Sequence, residues 1–204
     1  FMRETKMKNL KIGQRLSLSF GSIVALLVIL ATLAFTRIGG LNDAISEVDG
    51  DRYPKTVLAN LMKDDLNQIA RNMRNALLMT EKAAIEVELA QIGKAFDSLT
   101  KALAELEKTV HSERGLQTLA VLQADRAKFQ PLKDQFIKLA SAGIKDEAVS
   151  LLFAEVRPAQ LSYLTSIDKL IDYQNELMKK SGAEANAKAS QTQLLIGIFS
   201  IIAV

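Results

Sequence analysis

Cysteine and tryptophan are absent from this chain of 204 residues, and its single histidine is His111. Without cysteine the chain can form neither a disulfide nor a thiolate metal site, and one histidine cannot build the multi-histidine clusters of zinc or di-iron bundles. Aromatic residues make up 5% of the chain, which is too few for a surface that stacks nucleic-acid bases. We therefore expect no metal, no cofactor and no nucleic-acid partner.

Catalysis also lacks the residues that it would need. A Ser-His-Asp arrangement would have to use His111, which lies beside Ser112 and Glu113 at a predicted helix junction, where a helix cap is the simpler interpretation. The glycines at positions 39, 40 and 50 do not follow the spacing of a phosphate-binding loop. We expect no catalytic residues and no enzymatic activity.

Two apolar segments lie near the ends of the chain. The first, from Leu16 to Phe35, has no charged residue over 20 positions, which at about 1.5 Å per residue crosses a hydrocarbon core of roughly 30 Å. The short segment before it is basic, as cytoplasmic flanks are, with Arg3, Lys6, Lys8, Lys11 and Arg15 against Glu4. We predict a cytoplasmic segment over 1–15 and a transmembrane helix over 16–36. A cleaved signal peptide is the alternative, which the lack of a small-residue cleavage site disfavours.

The second apolar segment, from Leu194 to Val204, has 11 residues, about half of a membrane crossing. We predict that 193–204 is the start of a truncated second transmembrane helix and that 37–192 is one domain in the bacterial periplasm. The absence of cysteine suits such an oxidising compartment. Five of the 26 basic and one of the 23 acidic residues precede the first apolar segment. The remaining 21 basic and 22 acidic residues nearly balance, so the basic pI is a topology signal.

Between these segments, apolar residues recur at alternating four- and three-residue steps, the spacing of a coiled-coil-like seam. There are four runs: Met62, Leu66, Ile69, Met73, Ala76; Ile85, Leu89, Ile92, Phe96, Leu99, Leu103, Leu106, Val110; Leu119, Leu122, Phe129, Phe136, Ala140, interrupted by Arg126 and Lys133; and Gln160, Tyr163, Ile167, Leu170, Gln174, Leu177. Residues that cap or end helices separate the runs at Thr80, Ser112 and Gly143. We predict helices over 37–79, 81–110, 113–142 and 146–192.

These lengths predict an all-α, up-down-up-down four-helix bundle. Long helices 1 and 4 would be continuous with the transmembrane helices, and the shorter helices 2 and 3 would form a hairpin. Pro54, Pro131 and Pro158 fall within predicted helices, and each removes a backbone donor. We expect a local bend at each proline.

A polar stripe lies opposite the apolar seam of helix 1, at Asn60, Asp64, Asn67, Arg71, Arg74 and Leu78. Two arginines three residues apart on one helix face can grip a carboxylate if a second subunit covers them. The antiparallel geometry brings Arg157, Gln160 and Tyr163 of helix 4 to a similar level. An ordinary solvated surface is the alternative for the stripe, and a place in the core is the alternative for Gln160 and Tyr163.

Three stretches of this sequence resemble bacterial methyl-accepting chemotaxis receptors. The run MKNLKIGQRL from Met7 to Leu16, with the apolar span after it, is similar to their amino-terminal start. DLNQIARNMRNALL from Asp65 to Leu78 and EVRPAQLSYL from Glu155 to Leu164 resemble helices 1 and 4 of their four-helix-bundle sensor domain. The resemblance covers nearly the entire chain.

The resemblance implies a homodimer that holds a ligand between its subunits, and a HAMP linker and cytoplasmic signalling helices beyond Val204. It implies that Arg71 and Arg74 bind a carboxylate. With the stripe, it gives the expected ligand-binding set Asn67, Arg71, Arg74, Leu78, Arg157, Gln160, Tyr163 and Leu164. The best-known aspartate- and serine-sensing members carry three arginines on helix 1, spaced by five and four residues, whereas the stripe of this chain has two, spaced by three. An amino acid and a di- or tricarboxylate therefore both stay open as ligands.

We expect a transmembrane chemoreceptor sensor region that binds a small carboxylate in the periplasm and signals across the membrane. The alternative is the sensor region of a receptor histidine kinase or cyclase-type enzyme that uses the same bundle. A structural anchor without a ligand is a third possibility, in which the arginines are surface residues only.

Overall fold

The computed structural model describes residues 11–203, which are almost entirely helical and contain no strand. The helices are α1 (Ile12–Glu47), α2 (Tyr53–Leu78), α3 (Lys82–Thr109), α4 (Glu113–Ser141), α5 (Lys145–Leu151) and α6 (Arg157–Ala203), with π-helical turns at Val48–Arg52 and Leu152–Val156. The all-α four-helix bundle is confirmed. Most of the expected cytoplasmic segment 1–15, namely residues 1–10, lies outside the described residues, as does Val204.

The described residues divide into two compact units, 11–47 with 180–203, and 48–179. In the first unit, α1 buries no side chain, and its apolar residues from Leu16 to Phe35 are largely exposed. Among the described residues, one continuous helix, from Ile12 to Leu78, is long and apolar enough to cross a membrane. The domain limits 16–36, 37–192 and 193–204 stay predictions.

The second unit is the bundle, and its core follows the seams that the sequence predicted. All five seam residues of α2 are buried, from Met62 to Ala76. On α3 every seam residue is buried except Ile85, which is half-buried and packs against the core. Burying each leucine or isoleucine contributes about 1.5 to 3 kcal/mol, so these stripes dominate the stability of the bundle.

Two cations interrupt the apolar seam of α4, and both lie near the aromatic ring of Phe96. Arg126 and Lys133 interrupt this seam, and their charged groups lie 5.1 and 4.4 Å from the centroid of that ring. Arg126 also donates to the Thr100 hydroxyl at 3.0 Å. The Lys133 ammonium also pairs with the Asp134 carboxylate, so an ion pair and cation–π attraction together let this buried lysine occupy a position where an apolar residue is expected.

Helix α6 completes the bundle through buried and exposed contacts. Tyr163, Ile167, Leu170 and Gln174 are buried as predicted. The Tyr163 ring packs against Phe129 on α4 with ring centroids 6.1 Å apart. On the surface, Lys63 pairs with Asp168 at 2.7 Å, and Arg114 pairs with Glu176 at 2.9 Å. These two ion pairs join α6 to α2 and to α4.

Two of the three predicted helix ends have the expected chemistry. The Ser112 hydroxyl caps α4 by accepting from the Gly115 backbone at 3.3 Å. Gly143 takes a φ of +74°, and the Ile144 amide then donates to the Leu139 carbonyl, as in a Schellman motif. The cap predicted at Thr80 is wrong. Helix α3 begins at Lys82, one residue after the predicted start at position 81. Its cap residue is Glu81, whose side chain makes no capping hydrogen bond.

The prolines do not all act alike. Pro54 and Pro158 each lie two residues after a π-helical turn, whereas Pro131 lies inside an uninterrupted α4. A proline ring clashes with the carbonyl four residues before it, and the widened turns contain those carbonyls at positions 50 and 154. The π-helical turns are therefore the form that the predicted distortion takes at Pro54 and Pro158.

Candidate functional site

The polar stripe of α2 lies on the surface of the bundle. Arg71, Arg74 and Leu78 are exposed, and Asn67 is half-buried at the edge of the stripe. Leu78 is 80% exposed. The stripe thus combines two cations with an uncovered apolar side chain.

The two arginines are uncommitted within the described part of the chain. Neither guanidinium forms an ion pair or a side-chain hydrogen bond there, although acidic residues are common on neighbouring helices. Residues three apart on a helix have Cβ atoms about 5 to 6 Å apart, so the long side chains of Arg71 and Arg74 can converge on one anion. Each guanidinium offers a planar pair of donors that matches the two oxygens of a carboxylate.

The neighbouring polar residues are largely engaged with the protein itself. Asn60 donates to the Thr56 carbonyl at 2.8 Å, and Asn75 donates to Glu88 on α3 at 3.4 Å. Asp64 is exposed on the same stripe, two turns before Arg71. The net charge of the stripe near its end therefore comes from the two arginines.

On α6 the expected ligand wall is mostly inside the bundle. Arg157 is exposed, but Tyr163 is 0% and Gln160 is 8% exposed, and Leu164 packs against the core. Burial raises the pKa of the Tyr163 hydroxyl, and the nearby Arg126 offsets only part of that rise. In this chain Gln160 and Tyr163 offer a ligand almost no accessible surface, so their contact with a ligand stays a prediction.

Sequence reasoning missed two polar residues beneath the stripe. Asp65 and Asn72 are each 8% exposed, and the Asp65 Oδ2 and Asn72 Nδ2 atoms have no hydrogen-bond partner. Burial raises the pKa of the Asp65 carboxyl, and the charge of Asp64 raises it further, whereas a hydrogen bond from Ser98 opposes both. Asp65 and Asn72 are seven residues apart, and each immediately precedes a seam residue. Seven residues are about two helical turns, so this spacing predicts that both side chains lie on the same edge of α2 beside the core.

A groove lies between α2 and α3. Its volume is about 470 Å³, and its floor includes Leu58, Leu61 and Ala102. The α3 wall alternates in charge along Lys94, Asp97, Lys101 and Glu105, as solvated helix faces do. Within the described residues, no group of three or more His, Cys, Asp or Glu side chains is placed to hold a metal ion.

A family model described as a four helix bundle sensory module for signal transduction matches residues 9–189. The chain belongs to this family. The match spans the bundle and most of both helices that enter it, so the resemblance to methyl-accepting chemotaxis receptors is confirmed. No curated protein matches the chain. This sensory module therefore acts in signal transduction, and its stripe and pockets are candidate places for the signal to be received.

Proposed function

We propose that this sensory module binds a small carboxylate between the two arginines of the α2 stripe. The observation that carries the proposal is a pair of exposed guanidinium groups, on Arg71 and Arg74, with no partner in the described part of the chain. A solvated helix face usually neutralises its cations with acids three or four residues away. Here the nearest positions on the stripe are Asn67 and Leu78, which cannot neutralise them.

A second copy of the chain completes the proposed site. An exposed arginine–carboxylate contact contributes little in water, because solvent screens it and the side chains lose entropy. A homodimer whose two-fold axis runs beside α2 would cover the stripe with its own copy and desolvate the contact. Arg157 on α6 is exposed and is the member of the expected α6 set that can reach such an interface.

The spacing of the two arginines supports a carboxylate ligand but does not select one particular acid. Two guanidinium groups offer room for two carboxylates, one from each end of a short di- or tricarboxylic acid, or one carboxylate of an amino acid. Asn67 supplies an amide that can accept from an ammonium or donate to an oxygen. We therefore propose an amino acid or a small organic acid as the ligand.

Transmission would use α6, which is helical from the bundle into the second apolar segment. We propose that α1 and the end of α6 lie in the bacterial inner membrane, with the bundle in the periplasm and a signalling module in the cytoplasm. Ligand binding must favour one arrangement of α6 against α2 over another. The ion pairs of Asp168 and Glu176 that hold α6 are exposed, and pairs of this kind contribute about 1 kcal/mol or less. These surface ion pairs therefore oppose a shift of α6 only weakly.

Replacing Arg74 tests the proposal. Titration calorimetry of the full chain in nanodiscs with aspartate, succinate and citrate should find a ligand whose affinity falls by roughly 30-fold or more in Arg74→Ala. Arg74→Lys should rescue little, because an ammonium lacks the planar pair of donors. The melting temperature should hardly change, because Arg74 is exposed and its truncation opens no core cavity.

Lys101→Ala is the matched control, since it removes an exposed cation from α3 on a different face. It should leave carboxylate affinity unchanged. Near-wild-type affinity in Arg74→Ala would remove this arginine from the site. An equal loss in Lys101→Ala would show that only the general charge of the bundle attracts the acid.

A further inference from the structure

A second pocket lies at the end of the bundle where three chain segments meet. Its walls come from the last turn of α2, from the first turn of α3, and from the end of α4 with the turn that follows it. Its volume is about 280 Å³. Arg71 and Arg74 lie on a different face of α2 and are not among its lining residues. The pocket is therefore separate from the stripe.

The lining is apolar with a polar rim. Ala76, Leu77 and Ala140 are buried and Ile85 is half-buried, so the interior offers hydrocarbon surface. Thr80 and Lys145 are the side chains on the lining that carry a hydroxyl and a charge, and both are exposed. Within the described residues the Lys145 ammonium makes no ion pair. Asp146 and Glu147 follow it in sequence but do not line the pocket.

We propose that this pocket binds a monocarboxylate with a short apolar body, such as a six-carbon aliphatic or aromatic acid. The hydrocarbon would replace water against Ala76, Leu77, Ile85 and Ala140, and the carboxylate would pair with Lys145 and accept from the Thr80 hydroxyl. An apolar cavity of about 150 Å³ already holds benzene in another protein, so the volume here has room for a ring and its carboxylate.

This site would add a second class of ligand to the sensory module, independent of the proposed carboxylate on the α2 stripe. A bound acid would connect the α2–α3 turn to the α4–α5 turn, since residues of both turns form the walls. A ligand that binds only the folded bundle stabilises it by mass action. Occupation of the pocket should therefore raise the melting temperature as well as give a binding isotherm.

Hexanoate is the probe that we would use, with hexanamide as its neutral counterpart. Calorimetric titration of the full chain in nanodiscs should show saturable binding of one hexanoate per chain and at least about fivefold weaker binding of hexanamide. Lys145→Gln should weaken hexanoate binding by about five- to twentyfold at an unchanged melting temperature without ligand. Ala140→Met, which fills the pocket with a flexible side chain, should weaken both probes.

Two further variants separate the outcomes. Lys138→Gln removes an exposed cation from the last turn of α4 outside the pocket and should bind hexanoate as the wild type does, whereas Arg74→Ala tests whether the acid binds on the stripe instead. Absence of saturable hexanoate binding would overturn the proposal. Binding lost in Arg74→Ala and kept in Lys145→Gln would also overturn it, and would place the acid on the stripe. Equal affinity for hexanamide would reject the role of Lys145.

Discussion

Two buried tyrosines on α6 differ in whether their hydroxyl groups have a hydrogen-bond partner. The Tyr173 hydroxyl lies 2.8 Å from the Ser112 hydroxyl, so each has a partner. The Tyr163 hydroxyl is fully buried and has none among the described protein atoms. A buried polar group without a partner costs about 1 to 3 kcal/mol. Tyr163 therefore contributes through its ring, which packs on Phe129, while its hydroxyl opposes folding.

Conservative replacement of the two tyrosines should have opposite effects. Tyr163→Phe removes an unpartnered hydroxyl and should leave the free energy of unfolding unchanged or raise it by up to about 1 kcal/mol. Tyr173→Phe removes a hydrogen bond and should lower it by about 0.5 to 1.5 kcal/mol. Denaturant unfolding of both variants in detergent measures this. A larger loss in Tyr163→Phe than in Tyr173→Phe would mean that a buried water satisfies the Tyr163 hydroxyl.

The buried carboxyl of Asp65 makes stability depend on pH. Burial raises its pKa in the folded state above the ordinary value of 3.8, so the folded state favours the protonated form. The favourable contribution is present below the ordinary pKa and is lost as the pH rises through the folded pKa. Asp65→Asn, which is always neutral, should therefore melt at a higher temperature than the wild type at about pH 7, and the difference should shrink toward about pH 4.

Asp64→Asn is the matched control for this experiment, because Asp64 is adjacent but exposed. Its melting temperature should follow that of the wild type closely across the same range. A difference between Asp65→Asn and the wild type that stays constant with pH would show that the Asp65 carboxyl has the same pKa in the folded and unfolded states, and would contradict the raised pKa.

At the scale of elements, α4 is the least regular of the bundle helices in sequence and yet runs unbroken. Its seam carries Arg126 and Lys133, and Pro131 lies between them on the exposed side. Both cations lie near the ring of Phe96 on α3, and this ring together with the Asp134 carboxylate offsets the burial of Lys133. The proline removes the backbone bond that position 131 would donate to the Ala127 carbonyl, and nothing comparable offsets that loss.

Pro131→Ala should therefore stabilise the bundle. An interior proline costs about 3 kcal/mol relative to alanine, and the greater freedom of alanine in the unfolded chain returns about 0.4 to 1 kcal/mol of this. We expect a net gain of about 2 to 2.6 kcal/mol in chemical unfolding, and Gln135→Ala, an exposed change one turn away, should stay within about 0.5 kcal/mol. A loss of stability in Pro131→Ala would mean that α4 needs a bend at this point to follow the core.

At the scale of the whole molecule, the proposed homodimer places like charges together. A two-fold axis beside α2 would bring Arg71 and Arg74 close to their copies, and the repulsion would oppose association. An anion that lies between the arginines would relieve that repulsion. Association and ligand binding would then be linked, which is a requirement for a receptor whose site is shared between subunits.

We expect the full chain in detergent to be a weak dimer that tightens when a carboxylate binds. Without ligand, added salt should also tighten the dimer, because it screens the arginines. Arg74→Gln should associate more tightly than the wild type without ligand and respond less to the acid. Sedimentation velocity over a range of protein concentrations measures these changes. A dissociation constant that is the same with and without a bound acid would contradict the shared site.

Much of the bundle could be predicted from local pattern. Amphipathic periodicity placed the buried seam of α2 from Met62 to Ala76, because a helix of this period has one face that must leave water. The cap at Ser112 and the left-handed turn at Gly143 were also predictable, since each depends on the chemistry of a few adjacent residues. The same helical period predicts that the arginine stripe lies on the exposed face of α2, opposite the buried seam.

The tertiary structure decided what depends on partners distant in sequence. Gln160 and Tyr163 lie on a seam, and only the packing of α4 against α6 shows that both side chains are enclosed within a single bundle. The π-helical turn at Leu152–Val156 keeps buried residues at successive four-residue steps, a spacing that the core imposes and local propensity does not. The pocket beside Lys145 requires three segments separated by up to about 70 residues to meet. Helical periodicity and helix capping depend on residues that are close together in the sequence. The burial of a side chain and the shape of a pocket exist only after distant segments have packed together.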